Sequence, residues 1–173
     1  ETGLLLEVLV ALCGARRAVE VGTAIGVSTL HIARALPEDG VVISFEVDAE
    51  RQHAARGYLD RAGVADRVDL RLENAAEGLA SLHGPIDFAF LDAFKGDYPR
   101  HLALVLPLLR PGGAVAVDNV LLSGAVPSGT EFTHWSEEDV LRMRAFNADL
   151  VRDELLPATV LPVGDGVALA VRR

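Results

Sequence analysis

Asp92 closes an apolar run, Ile86-Asp87-Phe88-Ala89-Phe90-Leu91, and three residues on comes Lys95, the only lysine beside fifteen arginines. A second apolar run, Ala114-Val115-Ala116-Val117, ends in Asp118-Asn119. If both runs are neighbouring buried strands of one parallel sheet, three oxygen-bearing side chains and one amine converge at its carboxyl edge, where open α/β sheets bind ligands. That pattern suggests a catalytic metal site, and an all-oxygen donor set points away from zinc. Asp118-Asn119 also has an ordinary reading, since Asp and Asn after a strand bond the following backbone. His31, His53, His83, His101 and His134 show no ligand spacing.

A second constellation is Glu20-Val21-Gly22-Thr23-Ala24-Ile25-Gly26-Val27-Ser28-Thr29, a glycine loop between a strand and a helix, where backbone N–H groups can approach a ligand. It lacks the third glycine of the dinucleotide fingerprint, and Glu20 just before the turn would repel a phosphate. A cationic or uncharged ligand fits better. Glu46 ends the next apolar run, about as far beyond the turn as α/β nucleotide sites place a carboxylate on ribose hydroxyls. Adenosine without phosphates satisfies both features.

The elements that must position these residues alternate between apolar strand runs and helical stretches, the signature of βαβ units and a parallel sheet. Helices are expected over Leu4–Leu12, Ser28–Ala35, Ala49–Ala62, Ala75–Leu82, Tyr98–Leu109 and Glu137–Leu155. Ala18–Val21, Val41–Glu46, Val68–Leu72 and the two runs that end in Asp92 and Asp118 read as strands. Arg110-Pro111-Gly112-Gly113 reads as a helix stop, and Ser136 as an N-cap. Near the end, two short apolar runs flank Asp165-Gly166, a hairpin signal that makes the last strand antiparallel. Asp97 and Tyr98 read as helix entry, and the loop from Pro127 to Ser136, with the single Trp135, as either a wall of an acceptor pocket or plain surface.

The 173 residues are 50% hydrophobic and 24% charged, which fits one compact domain spanning 1–173. A formal charge of −9 with no basic cluster argues against nucleic acid. Cys13 is alone and in an apolar stretch, which reads as a core thiol in a reducing compartment. With no apolar run of about 18 residues and no signal peptide, the expectation is a cytoplasmic protein that does not bind membranes. The abrupt opening Glu1-Thr2-Gly3 reads as the interior of a longer chain, with a preceding segment missing.

Five stretches together resemble the cation-dependent class I O-methyltransferases, the group of catechol and caffeoyl-coenzyme A O-methyltransferases. They are Glu20-Val21-Gly22-Thr23 with Gly26-Val27-Ser28, Phe45-Glu46-Val47, Phe90 through Tyr98, Leu109 through Gly113, and Val117 through Leu121. The resemblance implies a Rossmann-like α/β fold, a seven-stranded mostly parallel sheet with an antiparallel last strand and helices on both faces. It implies S-adenosylmethionine as methyl donor: Gly22 and Thr23 at its methionine part with Glu20 and Ser28 beside it, Glu46 on the ribose, the main chain of Asn74 and Ala75 facing the adenine with Phe94 near it, and Asp92 at the same site. It implies Asp92, Asp118 and Asn119 as ligands of Mg²⁺ or a similar hard cation. Ser123 matches a position that touches the acceptor in some members. Members of the group are commonly homodimers, which an exposed apolar face on the first or last helix would fit.

The chemistry implied is methylation of a small phenolic acceptor with two vicinal hydroxyls. A phenol titrates near 10, so coordination to a cation favours the reactive phenolate. Lys95 is the residue expected to remove the proton, because a lysine amine can be neutral in a partly dry cleft whereas arginine stays charged. A charged Lys95 that steadies the phenolate is the alternative role. Two other functions stay open on the residues alone: a catalytically silent S-adenosylmethionine-binding module, which does not need the acidic set, and a nicotinamide-dependent oxidoreductase, which needs a third glycine.

Overall fold

The structure is a computed structural model that describes residues 1–131, 134–154 and 156–173. Seven strands form one sheet: β1 (Arg17–Val21), β2 (Val41–Glu46), β3 (Val68–Leu72), β4 (Ile86–Leu91), β5 (Leu109–Val117), β6 (Ala158–Leu161) and β7 (Val167–Val171). Their order across the sheet is β3-β2-β1-β4-β5-β7-β6. β1 to β5 pair in parallel, while β7 runs antiparallel to both β5 and β6. The reversed last strand, with its hairpin around Asp165-Gly166, is as the sequence implies.

The helices are α1 (Thr2–Leu12), α2 (Val27–Ala35), α3 (Ala49–Arg61), α4 (Ala75–Ser81), α5 (Tyr98–Val105), α6 (Ala125–Ser128) and α7 (Glu137–Arg152). Parallel strands covered on both faces are apolar throughout. Accordingly Val19, Val21, Ala89 and Leu91 belong to a core shared with Tyr98, Met143 and Phe146, whereas Ala18, Phe88 and Phe90 belong to one shared with Leu6, Val10 and Ile32. No helix among the described residues is long and apolar enough to cross a membrane.

The largest differences from the sequence reading lie at the ends of α5 and α7 and at the start of β5. The helix expected over Tyr98–Leu109 ends at Val105: Leu106 still has helical backbone, but Pro107 after it has no N–H with which to continue the ladder. Arg110-Pro111-Gly112-Gly113 is therefore not a stop but the irregular first half of β5. Register slips there between Ile86 and Phe88, and Gly112 and Gly113 exchange backbone hydrogen bonds with Arg172. At the other end, Ser136 caps α7 in a reciprocal box with Asp139, as expected. α7 ends at Arg152 and not at the expected Leu155, which lies outside the described residues, as do Phe132 and Thr133 of the Pro127–Ser136 loop.

Candidate active site at the carboxyl ends of β1, β4 and β5

β1 and β4 are adjacent, yet β1 leads through α2 to β2 on one side while β4 leads on to β5 on the other. The chain thus departs in opposite directions from neighbouring strand ends, which opens a crevice there. Gly22 sits at its floor with φ +97°, and a Cβ at this position would overlap the carbonyl oxygen of Asp92. Only glycine allows that approach. The resulting cleft, about 200 Å³, is lined by Gly22, Thr23 and Ser28 on one side and Asp92 and Asp118 on the other.

Glu20 lies under this turn and not on the lining of the cleft: it is fully buried. Its Oε2 accepts from Ser44 Oγ at 2.5 Å and from Thr29 Oγ1, and Ser44 Oγ in turn meets Thr23 Oγ1 at 2.5 Å. Among the described residues Oε1 has no hydrogen-bond partner. Burial pushes the Glu20 carboxyl up to about 7, against the pull of the Ser28, Ser44 and Thr29 hydroxyls, because a charge without water is unfavourable. Glu20 thus lies immediately beneath the turn that Gly22 and Thr23 form.

Glu46 is nearly buried at the end of β2, where its Oε1 accepts from Val47 N at 2.8 Å and Asp48 N at 3.0 Å and its Oε2 from Ala24 N at 2.8 Å. These amides lock the carboxylate in place and occupy three of its roughly four acceptor positions. Asn74 caps α4 through Ala76 N at 2.9 Å, and its carbonyl accepts from Glu77 N and Gly78 N, so at the start of this helix it is the first backbone amides that can face a ligand. Phe94 is 70% exposed at the entry of the turn that leads into α5.

Lys95 ties the tips of β4 and β5 together. Its Nζ donates to Asp92 Oδ1 at 3.0 Å, to Asn119 Oδ1 at 2.6 Å and to Tyr98 OH at 2.8 Å, which accounts for all three ammonium protons. Tyr98, read from sequence as mere helix entry, is wholly buried, and its hydroxyl donates to the Asp118 carbonyl at 2.9 Å. Its ring packs on Phe146 of α7 with centroids 5.7 Å apart.

Asp118 Oδ1 accepts from Asn119 N at 2.7 Å, so the ordinary backbone-bonding role of this pair is realised as well. Burial raises the Asp118 pKa, the Asn119 amide lowers it, and the negative charge of Asp92 raises it again. Two carboxylates and an amide oxygen held this close favour a cation among them, and hard oxygen donors suit Mg²⁺ or a similar ion. Among the described residues no group of three or more His, Cys, Asp or Glu side chains is arranged to hold a metal. The set here reaches three oxygen ligands only by counting Asn119, and the ammonium of Lys95 already sits among them. Asn119, Leu122 and Ser123 all have positive φ, at 56°, 50° and 54°. Such values in residues other than glycine are sparsely populated and persist where the surroundings enforce them.

A profile of the O-methyltransferase family matches residues 1–173. Over 99% of its length the chain is 38% identical to tricin synthase 2 from Oryza sativa subsp. japonica and 35% identical to caffeoyl-CoA O-methyltransferase 2 from Zea mays, of which it spans 62% and 68%. It is 37% identical to a catechol O-methyltransferase from Niastella koreensis, with 98% of this chain and 79% of that one aligned. Among solved structures, the O-methyltransferase from Bacillus cereus in complex with SAH superposes with a TM-score of 0.87 at 32% identity, covering 99% of this chain and 80% of that one. The O-methyltransferase of tomaymycin synthesis from Streptomyces achromogenes, in complex with SAM, gives 0.87 at 35% identity, with 99% and 79% covered. With the switch-point cleft, the glycine turn and the matched profile all in one sheet, the chain belongs to the O-methyltransferase family.

Proposed function

We propose that the chain transfers a methyl group from S-adenosylmethionine to one oxygen of a small vicinal diphenol, with a hard divalent cation held by Asp92, Asp118 and Asn119. The observation that carries this reading is that Asp92 and Asp118 line one cleft with the glycine turn, while Lys95 Nζ joins Asp92 to Asn119. A catechol O-methyltransferase and two structures with SAH or SAM are among its relatives.

In this reading Gly22, Thr23 and Ser28 receive the methionine part of the donor, with Glu20 supporting the turn from below. Glu46 turns its remaining acceptor position to the ribose, Asn74 and Ala75 present main chain to the adenine, and Phe94 packs near it. Ser123 lies on the acceptor side. A bound divalent cation would favour the deprotonated form of a hydroxyl. Lys95 takes the acceptor proton at Nζ or steadies the oxygen that has lost it. Proton uptake requires Lys95 to be the neutral amine, with one ammonium proton already released to solvent and a lone pair in place of one of its three present donations. A cation held by Asp92 and Asn119 would compete with Lys95 for the two oxygens it now bonds and would leave Tyr98 OH as its remaining partner. Holding donor and acceptor in one cleft also removes much of the entropic barrier.

The net charge of −9 favours a small-molecule acceptor over nucleic acid. A homodimer belongs to the same reading, since α1 shows Leu4, Val8 and Leu12 on successive turns, all more than half exposed. The test is methylation of a panel of vicinal diphenols with Mg²⁺ and with EDTA. Product that disappears on chelation and returns with Mg²⁺ supports the proposal; product indifferent to EDTA contradicts the cation, and donor binding without any product contradicts the transfer.

A further inference from the structure

The β6–β7 turn, Pro162 to Gly166, serves the sheet only as a connection, yet it is bound to the loop that follows β5. Val120 N donates to Gly166 O at 3.0 Å and Leu121 N to Asp165 O at 3.0 Å. Asp165 goes further with its side chain: Oδ1 accepts from Ser123 N, and Oδ2 lies 3.4 Å from Ser123 Oγ. Gly166 has φ +85°, and a Cβ there would overlap the Leu121 side chain, so the turn approaches the loop as closely as glycine permits. The loop so gripped contains three of the four residues other than glycine with positive φ among the described residues, Asn119, Leu122 and Ser123. An Asn and a Ser in the left-handed region, and above all a Leu, hold that conformation only when fixed from outside.

We propose that Asp165 is a positioning residue for the acceptor half of the site: its carboxylate, held in the hairpin turn, clamps the 119–124 loop so that Asn119 faces Asp92 and Asp118 and Ser123 faces the acceptor. This rests on the reading of Asp92, Asp118 and Asn119 as the cation set. The donor half does not depend on it, since the glycine turn and Glu46 belong to β1, α2 and β2 and share no hydrogen bond with the β6–β7 turn.

The test compares wild type with Asp165→Ala and Asp165→Asn in three measurements: Mn²⁺ affinity, S-adenosylmethionine affinity by calorimetry, and amide hydrogen exchange over 119–124. Asp165→Ala is expected to weaken Mn²⁺ by about 10- to 100-fold, as loss of a group that orients a ligand does. It should speed exchange at Ser123 and leave S-adenosylmethionine affinity within about 2-fold, the independence expected of separate sites. Asp165→Asn keeps an oxygen for Ser123 N and loses the charge, so it should recover most of the Mn²⁺ affinity. If Asn behaves as Ala, the effect is one of charge and the clamp is overturned. Mn²⁺ affinity unchanged in Asp165→Ala, or donor affinity lost together with it, overturns it too. A wild type that binds no Mn²⁺ instead overturns the reading of the cation set, and this inference with it.

Discussion

Glu20→Gln isolates the energetic consequence of a carboxyl group sealed beneath the glycine turn. The folded protein raises this group from 4.5 to about 7, chiefly by burial. In the unfolded chain it titrates near its ordinary value, so between these two pH values the unfolded chain has released a proton that the folded one retains. Below about 4.5 both states are neutral and Glu20 adds no electrostatic penalty. As pH rises towards 7 the unfolded state gains from ionisation that the folded state resists, and above 7 the penalty is complete. The difference corresponds to about 3 kcal/mol, or on the order of 10 °C in Tm for a chain of this size. Glu20→Gln removes the titration. Its amide nitrogen would take the place of the partnerless Oε1, adding an offset that does not vary with pH. Urea unfolding of both proteins from pH 4.5 to 8 should therefore show wild type losing stability relative to the variant across that window. Curves that stay parallel would refute the buried, raised carboxyl.

Lys95→Arg keeps a positive charge but removes any possibility of proton uptake, and turnover should fall by about two to four orders of magnitude; steady-state kinetics near wild type would remove Lys95 from proton transfer. Tyr98→Phe strips the hydroxyl that joins Lys95 Nζ to the Asp118 carbonyl, and should cost about 1–3 kcal/mol in urea unfolding, with turnover reduced as well. An unchanged unfolding midpoint would show that this hydroxyl contributes nothing. Gly22→Ala drives a methyl group into the Asp92 carbonyl at a positive φ, and calorimetry should show S-adenosylmethionine affinity reduced at least about 10-fold, a loss of about 1.4 kcal/mol. Retained affinity would mean the two strand ends can part freely.

What could be read from sequence followed from periodicity and from polar residues at strand ends. β2 and β3 fall where their apolar runs begin and stop, and Asp92, Asp118, Asn119 and Lys95 are brought together because the tips of adjacent parallel strands are neighbours. The end of α5 was hidden because Leu102 to Leu109 stays apolar on both sides of Pro107, and the pairing of Gly112 and Gly113 with Arg172 is a contact across 60 residues that no local pattern announces. Tyr98 was invisible for a related reason: its hydroxyl bonds a main-chain carbonyl from another strand, which depends on fold and not on neighbouring residue types. Asp165 carries a local turn signal strong enough to explain its presence alone, which masked its long-range bond to Ser123. The hydroxyls of Ser44 on β2 and Thr29 on α2 that hold the Glu20 carboxylate come from other elements, so no local pattern announces them.

The central claim is that oxygens from the tips of β4 and β5 hold a divalent cation. Its most direct measurement is a titration of the protein with Mn²⁺ followed by electron paramagnetic resonance, repeated with Asp118→Ala and Asn119→Ala. The account predicts a saturable site in the wild type that Mg²⁺ displaces, with affinity at least about 10-fold lower in each variant. Binding that is absent in the wild type, or equally strong after both substitutions, would contradict it.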